Sequence, residues 1–423
     1  MNEIDKEQIE KNVRALCEAA RDGAPTLALA SNEKRNEALA AVAAQLLADE
    51  EAILAANARD LTLAGENGVP RPMLDRLALD ETRLRAIAEA VKKLAALPDP
   101  LAGSETWERP AGITITRKKV PLGLVAIIYE ARPNVTPDAA ALCIKSGNAV
   151  ILRGGKEAVN TNRAVVDAIH VALSKCGICP DVVGLITDTD RESANALMRM
   201  RGLVDVLIPR GGKGLIRNCV ENSLIPVIET GAGNCHVYVD KAADLDKALK
   251  VAVNAKCQRP SVCNAAECLL VHRDVAAAFL PAFYKVTRLW DLEFRGCPET
   301  CRILPGAKPA TEEDYATEYN DYIMSVKVVG SVDEAVAHIA RFGTKHSEAI
   351  LTEDAAAAER FCSLVDAAAV YHNASTRFTD GEVFGFGAEI GISTQKLHAR
   401  GPMGLDALTT VKYLVTGDGA VRE

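Results

Sequence analysis

From Leu122 to Glu229 the chain repeats one pattern, a short apolar run followed by a longer stretch with helical spacing. The runs are LVAII, AVIL, VVGLI, VDVLI and IPVIE, separated by segments such as NTNRAVVDAIHVAL. A strand with one wet face alternates apolar and polar residues, so unbroken apolar runs imply burial on both faces. Parallel strands need long crossovers, and helices supply them. The pattern therefore predicts a doubly wound α/β domain in which all five runs are strands.

A second α/β region is expected from near Ala242. ADLDKALKVAVNAK reads as an amphipathic helix, CQRPSVCNA as an irregular turn and ECLLVH as a strand. The alternation continues through YIMSVKVVG, a helix at VDEAVAHIARFG, the strand EAILTED, and VYHNAS. Ahead of both regions, Leu29, Leu39, Val42, Ala43, Leu46, Leu47 and Ile53 recur at helical intervals, with Ser31 as a helix start. After Pro98 and Pro100 the period shortens. In GITITRKKV, Ile113 and Ile115 alternate with Thr114 and Thr116, which predicts a two-strand arm.

Size and charge narrow the function classes. At 423 residues the prior is about two to three domains. The balance of 49 Lys and Arg against 57 Asp and Glu, with no block of like charge, argues against nucleic acid as a partner. No run approaches the length of a membrane span. Twelve scattered cysteines, behind an N-terminal stretch without an apolar secretion segment, read as reduced thiols in a cytoplasm.

Several residues invite chemistry. Cys263 lies in QRPSVCNAAE, a turn enforced by Pro260, with Arg259 and Asn264 beside it. Taken alone, such a loop thiol is more often structural. Cys176 and Cys179 form CGIC without a second ligand pair, so no metal site is expected. The turns RGGKEA and PRGGKGL each follow a strand and offer backbone N–H groups to an anion, although neither is a G-x-G-x-x-G or a Walker loop. Arg153, Lys156, Arg210 and Lys213 add positive charge there. Among the histidines, His346 in GTKHSE and His372 in VYHNAS lie near turns.

Taken together, VPLGLVAIIYEARPNVTPDAAALCIKSGNAVILRGGKEA, VDVLIPRGGKGLI, NAKCQRPSVCNAAE, VKVVGSVDEAVAHIARFGTKHSEAI and VYHNASTRFTDGEVFGFGAEIGISTQKLHARGPMGLDAL resemble the gamma-glutamyl phosphate reductase family of the aldehyde dehydrogenase superfamily. The resemblance runs from near the N-terminus to about Gly417. It implies an aldehyde dehydrogenase-like α/β fold, with two α/β domains carrying parallel-type sheets and a small β oligomerisation arm. The implied divisions are residues 1–104 as the helical part of the cofactor-binding domain, 105–121 as the arm and 122–234 as the cofactor-binding sheet. Residues 235–390 would form the catalytic domain, and 391–423 would return to the cofactor domain and the arm.

The resemblance also assigns roles. Cys263 matches the nucleophile, and Asn134 in EARPNVTP the oxyanion-binding amide. Arg153 stands where the superfamily usually has a cofactor-contacting lysine, and with Lys156 it would suit the 2′-phosphate of NADP. Gly211 and Gly212 match the turn near the cofactor pyrophosphate, and Glu318 aligns with a glutamate that holds the nicotinamide ribose. Glu229 aligns with the general base of hydrolytic aldehyde dehydrogenases and is kept as a pocket residue only. Arg132, Arg259, Lys345, His346 and Arg377 are the candidate cations for the substrate phosphate and carboxylate, with Asn373 and Ser375 for the amino-acid end.

The implied activity is NADPH-dependent reduction of L-glutamyl 5-phosphate to L-glutamate 5-semialdehyde and phosphate, in proline biosynthesis. A homo-oligomer and a transient contact with glutamate 5-kinase are the implied partners. A hydrolytic NAD(P)-dependent aldehyde dehydrogenase and an inactive cofactor-binding scaffold remain as alternatives.

Overall fold

The computed structural model describes residues 3–422. In chain order its principal elements begin with the helices α1 (Glu3–Ala28), α2 (Asn32–Ala48), α3 (Glu50–Glu66), α4 (Arg71–Leu77) and α5 (Glu81–Ala95). There follow β1 (Ser104–Arg109), β2 (Ile113–Pro121), β3 (Leu124–Tyr129), α6 (Val135–Ser146), β4 (Ala149–Arg153), α7 (Val159–Lys175), β5 (Val183–Leu185), α8 (Arg191–Met198), β6 (Val206–Arg210) and α9 (Lys213–Asn222). Next come β7 (Cys235–Val239), α10 (Leu245–Cys257), β8 (Ala266–His272), α11 (Arg273–Thr287), β9 (Glu293–Gly296), α12 (Pro298–Ile303), β10 (Lys308–Pro309) and α13 (Glu312–Ala316). The chain finishes with β11 (Ile323–Val329), α14 (Val332–Phe342), β12 (Ser347–Leu351), α15 (Ala355–Leu364), β13 (Ala369–His372), β14 (Ile392–Ser393), β15 (Gly401–Pro402) and β16 (Thr409–Gly417).

Two compact units divide these elements. The first holds residues 1–229, 386–391 and 403–423; the second holds 230–385 and 392–402. In the first unit, the side chain of Ser31 accepts from Lys34 N and that of Asp80 from Arg83 N, so both start helices as N-caps. On α5, Leu84, Ile87, Ala88, Val91 and Leu94 repeat at three and four and are buried. The strands β5, β4, β3 and β6 lie in that order, all parallel. Every residue of β3 is buried, as its unbroken apolar run requires. IPVIE is not a strand: Val227 makes one isolated parallel bridge to Leu207. Pro226 has no N–H to donate, so pairing stops after Leu207 N donates to Pro226 O and Ile228 N to Leu207 O.

The arm has three strands rather than two, in the antiparallel order β1-β2-β16. β16 adds a full-length partner to β2, from Thr409 opposite Pro121 to Gly417 opposite Ile113. Beyond Thr409 every β16 residue is exposed, and Trp107 meets Tyr413 edge-on.

The second unit is a seven-stranded sheet, β10-β9-β11-β8-β7-β12-β13, parallel throughout. Phe279, Phe283 and Phe294 pack in one core cluster, and Tyr238 stacks on Phe361 in another. Burying each such ring contributes roughly 1.5–3 kcal/mol. This unit starts at Thr230, ahead of both Ala242 and residue 235. Thr230 bridges Ser393 and Gly231 N donates to Ile392 O, tying that stretch to residues 392–402. Only 386–391 and 403–423 of the tail belong to the first unit, so the implied return from 391 onward is interrupted.

Candidate active site

Because β7, β8 and β12 run parallel, the segments that lead into them meet along the amino-terminal edge of the second sheet. Cys263 lies on the segment entering β8 and is half-buried. Its carbonyl oxygen accepts from the Cys235 thiol at the start of β7, 3.2 Å away. Gly233 approaches still closer: a Cβ there would overlap the Cys263 carbonyl and lie 2.8 Å from its Cα. Only glycine fits. Glu318 Oε1 accepts from Gly233 N at 2.8 Å and holds that contact in place.

Asn264, buried, locks the other side of the thiol. Its side-chain amide donates to Thr379 O at 2.9 Å and Arg377 O at 3.3 Å, and its backbone carbonyl accepts from Thr376 Oγ1 at 2.7 Å. The Arg377 guanidinium donates to Asn264 Oδ1 and to Gln258 Oε1. Burial depresses the pKa of Arg377, the Arg259 charge adds to that, and Cys263 and Asp380 oppose it. Arg377 and Arg259 therefore bring positive charge to the loop that carries Cys263. Ser375 caps the short turn that carries Arg377, its hydroxyl accepting from Arg377 N. Beneath the loop, Lys256 Nζ and Glu267 Oε2 form a fully buried pair at 2.5 Å. Burial pushes Glu267 up to about 7 against the pull of Lys256.

Three expected substrate residues are otherwise engaged. His346 is fully buried, with Nδ1 2.8 Å from Ser347 Oγ and 3.7 Å from Cys235 Sγ. Burial lowers its pKa to about 4, so it is neutral and unsuited to pairing with phosphate. Lys345 faces Asp366 at 3.8 Å, in a surface cluster with Lys396 and Arg400. Asn373 follows the carboxyl end of β13, where its amide donates to Thr352 O and its carbonyl accepts from Thr352 N. Its left-handed backbone, φ 53°, marks a turn residue.

In the first unit the residues of interest follow the carboxyl ends of strands. Asn134 and Arg132 lie on the β3–α6 connection, both exposed. The Asn134 amide donates to Asp138 Oδ2 at 3.2 Å. Arg153 ends β4, where its guanidinium donates to Thr189 O and Asp190 O, each at 3.0 Å. Lys156 opens the short turn after it and is exposed. Gly211 and Gly212 lead from β6 into α9, and Gly212 N donates to Glu130 Oε1 at 2.7 Å. That amide is satisfied by the Glu130 carboxylate. At the β5 edge of the sheet, the edge opposite β6, a groove of about 250 Å³ lined by Arg163, His170 and Thr187 is framed by α1, α7 and the segment around β5. Glu229, half-buried, closes the first unit.

Sequence reasoning does not reach Gly233, Cys235, Thr376, Asp138 or Glu130 as site residues. Asp138 alone carries a readable signal, an acid one turn beyond an asparagine at a helix start.

Comparisons with known proteins identify the family. The model of the aldehyde dehydrogenase family matches residues 3–295. A gamma-glutamyl phosphate reductase from Heliobacterium modesticaldum is 56% identical over 404 residues, covering 95% of this chain and 97% of its own. One from Symbiobacterium thermophilum is 56% identical over 425 residues, 97% of this chain and all of its own. The crystal structure of the Thermotoga maritima gamma-glutamyl phosphate reductase superposes with a TM-score of 0.95 at 47% identity, covering 97% of this chain and all of that one. A loop cysteine among arginines, a glycine-bearing strand-to-helix turn and full-length kinship place this chain in the gamma-glutamyl phosphate reductases of the aldehyde dehydrogenase family.

Proposed function

We propose that the chain reduces L-glutamyl 5-phosphate to L-glutamate 5-semialdehyde, with Cys263 as nucleophile and NADPH as reductant. The observation that carries this reading is the pairing of Cys263 with the Arg377 and Arg259 charges on a loop clamped by Gly233 and Asn264. A thiolate there attacks the acyl carbon, the carbon–oxygen bond to phosphate breaks, and the leaving phosphate is neutralised by Arg259 and Arg377. Arg132 is the third candidate cation, while Lys345, His346 and Asn373 drop out of the set. Ser375 acts through its support of Arg377.

When bound, NADPH supplies hydride to the acyl carbon of the Cys263 thioester. Asn134 donates an N–H to the oxygen that becomes negative, and the thiolate then leaves as the aldehyde forms. Gly211, Gly212, Arg153 and Lys156 are the residues to hold the anionic parts of the cofactor, and Glu318 its nicotinamide ribose. Arg153 and Lys156 support NADPH over NADH by charge alone. The exposed β16 edge of the arm supports a homo-oligomer built by exchange of strands. A labile acyl phosphate favours a brief encounter with glutamate 5-kinase.

The test is the reverse reaction. With semialdehyde and NADP, reduced cofactor should form only when inorganic phosphate is present, and more slowly with NAD. Cys263→Ser should lose about 10³-fold or more in kcat. Turnover without phosphate would instead establish the hydrolytic reading with Glu229 as base, and full activity of the serine variant would remove the covalent step.

A further inference from the structure

Asparagine is among the best N-cap residues because its side-chain oxygen accepts from the second or third N–H of the helix. Asn134 stands at that position before α6 and does not cap it: its backbone is helical, φ −68° and ψ −22°, and its side chain makes no cap hydrogen bond. The same kind of residue caps as expected at Ser31, Asp80, Asp190, Asp244, Ser331 and Asp354, though Asp49 before α3 also leaves its helix uncapped. At Asn134 two neighbours account for it. Pro137, at the third helical position, has no N–H to offer. Asp138, one turn on, accepts from Asn134 Nδ2 through Oδ2.

We propose that Asp138 is a positioning residue for the reaction, holding the Asn134 amide so that one N–H stays directed at the substrate oxygen. The inference rests on the reading of Asn134 as the oxyanion donor. An ionised carboxylate only accepts, so the amide must turn its nitrogen rather than its oxygen toward Asp138. One of the two N–H groups is spent on that contact and the second remains for substrate. Without Asp138 the amide is free to flip and to present an oxygen where a donor is needed, which turns stabilisation of the oxyanion into repulsion.

A carboxylate close to a developing negative charge carries a cost. Arg210, at the end of β6, lowers it by attracting Asp138, while burial raises the Asp138 pKa to about 6. The group therefore stays largely ionised at neutral pH, and an ionised carboxylate cannot donate to the Asn134 oxygen.

A double-mutant cycle in the phosphate-dependent reverse reaction tests this, with thermal unfolding of each variant as a control for folding. Asn134→Ala should lower kcat by roughly 10²-fold or more. Asp138→Ala should lower kcat about tenfold with KM for semialdehyde within about twofold, and the double variant should be no slower than Asn134→Ala alone. Asp138→Asn keeps a carbonyl acceptor but also brings a donor that allows the flipped Asn134 amide, and should regain only part of the lost turnover. Losses that multiply in the double variant would overturn the proposal, since Asp138 would then act independently of Asn134. A raised KM at unchanged kcat would overturn it in favour of direct substrate contact. Undiminished kcat in Asn134→Ala would instead remove the oxyanion reading, and this proposal with it.

Discussion

The two sheets present their candidate site residues from opposite ends. In the first unit Asn134, Arg153 and Gly212 follow the carboxyl ends of β3, β4 and β6, the usual place for ligands in an open α/β sheet. In the second, Cys263 precedes the amino end of β8. The manner of support differs as well. Gly212 contacts the tip of a flexible, exposed side chain, Glu130, whereas Gly233 is pressed against the backbone of Cys263. The Gly212 turn has room to give, and the Cys263 loop does not.

Paired substitutions test that contrast most sharply. Gly233→Ala should cost about 2–4 kcal/mol in stability and roughly 100-fold in kcat, because the Cys263 backbone has to move. Gly212→Ala should be nearly silent in stability: its φ of −69° suits any residue, and a Cβ would meet only Glu130 Oε1 at 3.3 Å. Denaturant unfolding beside steady-state kinetics reads both, and equal losses would erase the distinction between the two loops.

The buried pair beneath the Cys263 loop comes next. Lys256→Met leaves Glu267 alone in the interior and should remove about 3 kcal/mol at pH 8. Near pH 5 the deficit should shrink, because Glu267, already raised to about 7, then takes up a proton and is buried neutral. A pH-independent deficit in chemical unfolding would contradict this.

The smallest effect concerns acid. His346 has a folded pKa near 4, below the ordinary 6.5, so the unfolded chain binds its proton first as pH falls. Its contribution to stability is whole above 6.5, and about 1–2 kcal/mol of it should be gone by pH 5. His346→Gln should lose less between pH 6.5 and 5 than the parent does. His338, lowered to about 3, adds a parallel loss common to both proteins. His236 titrates the other way, raised to about 10 because Glu348 overcomes its burial, and contributes evenly across this acid window.

The repeating apolar runs made the first sheet readable because burial on both faces leaves no other pattern for a strand. IPVIE has the same composition, yet its proline ends the pairing after one bridge. β7 hides for a different reason. CHVYV opens with two polar-looking residues directly after the glycines of ETGAGN, and the stretch reads as loop until Glu348 is seen to satisfy His236. Cys263 was visible as a thiol in a loop, whereas Arg377 and Asn134 stood out only through the family resemblance. His346 looked like part of a basic turn with Lys345, but the strand that begins at Ser347 pulls it inward. Gly233 was beyond reach, since its constraint comes from a carbonyl thirty residues later in the chain.

The pairing of β2 with β16 has a consequence for synthesis. Lys119 and Asp406 pair across 287 residues, and the strand that completes the arm is made only after the second unit's large sheet. The second unit has all of its large sheet by His372 and can close while the first still lacks its final strand. During translation the edge of β2 therefore waits unpaired through the making of an entire sheet, and the aggregation risk of this chain is concentrated in that interval.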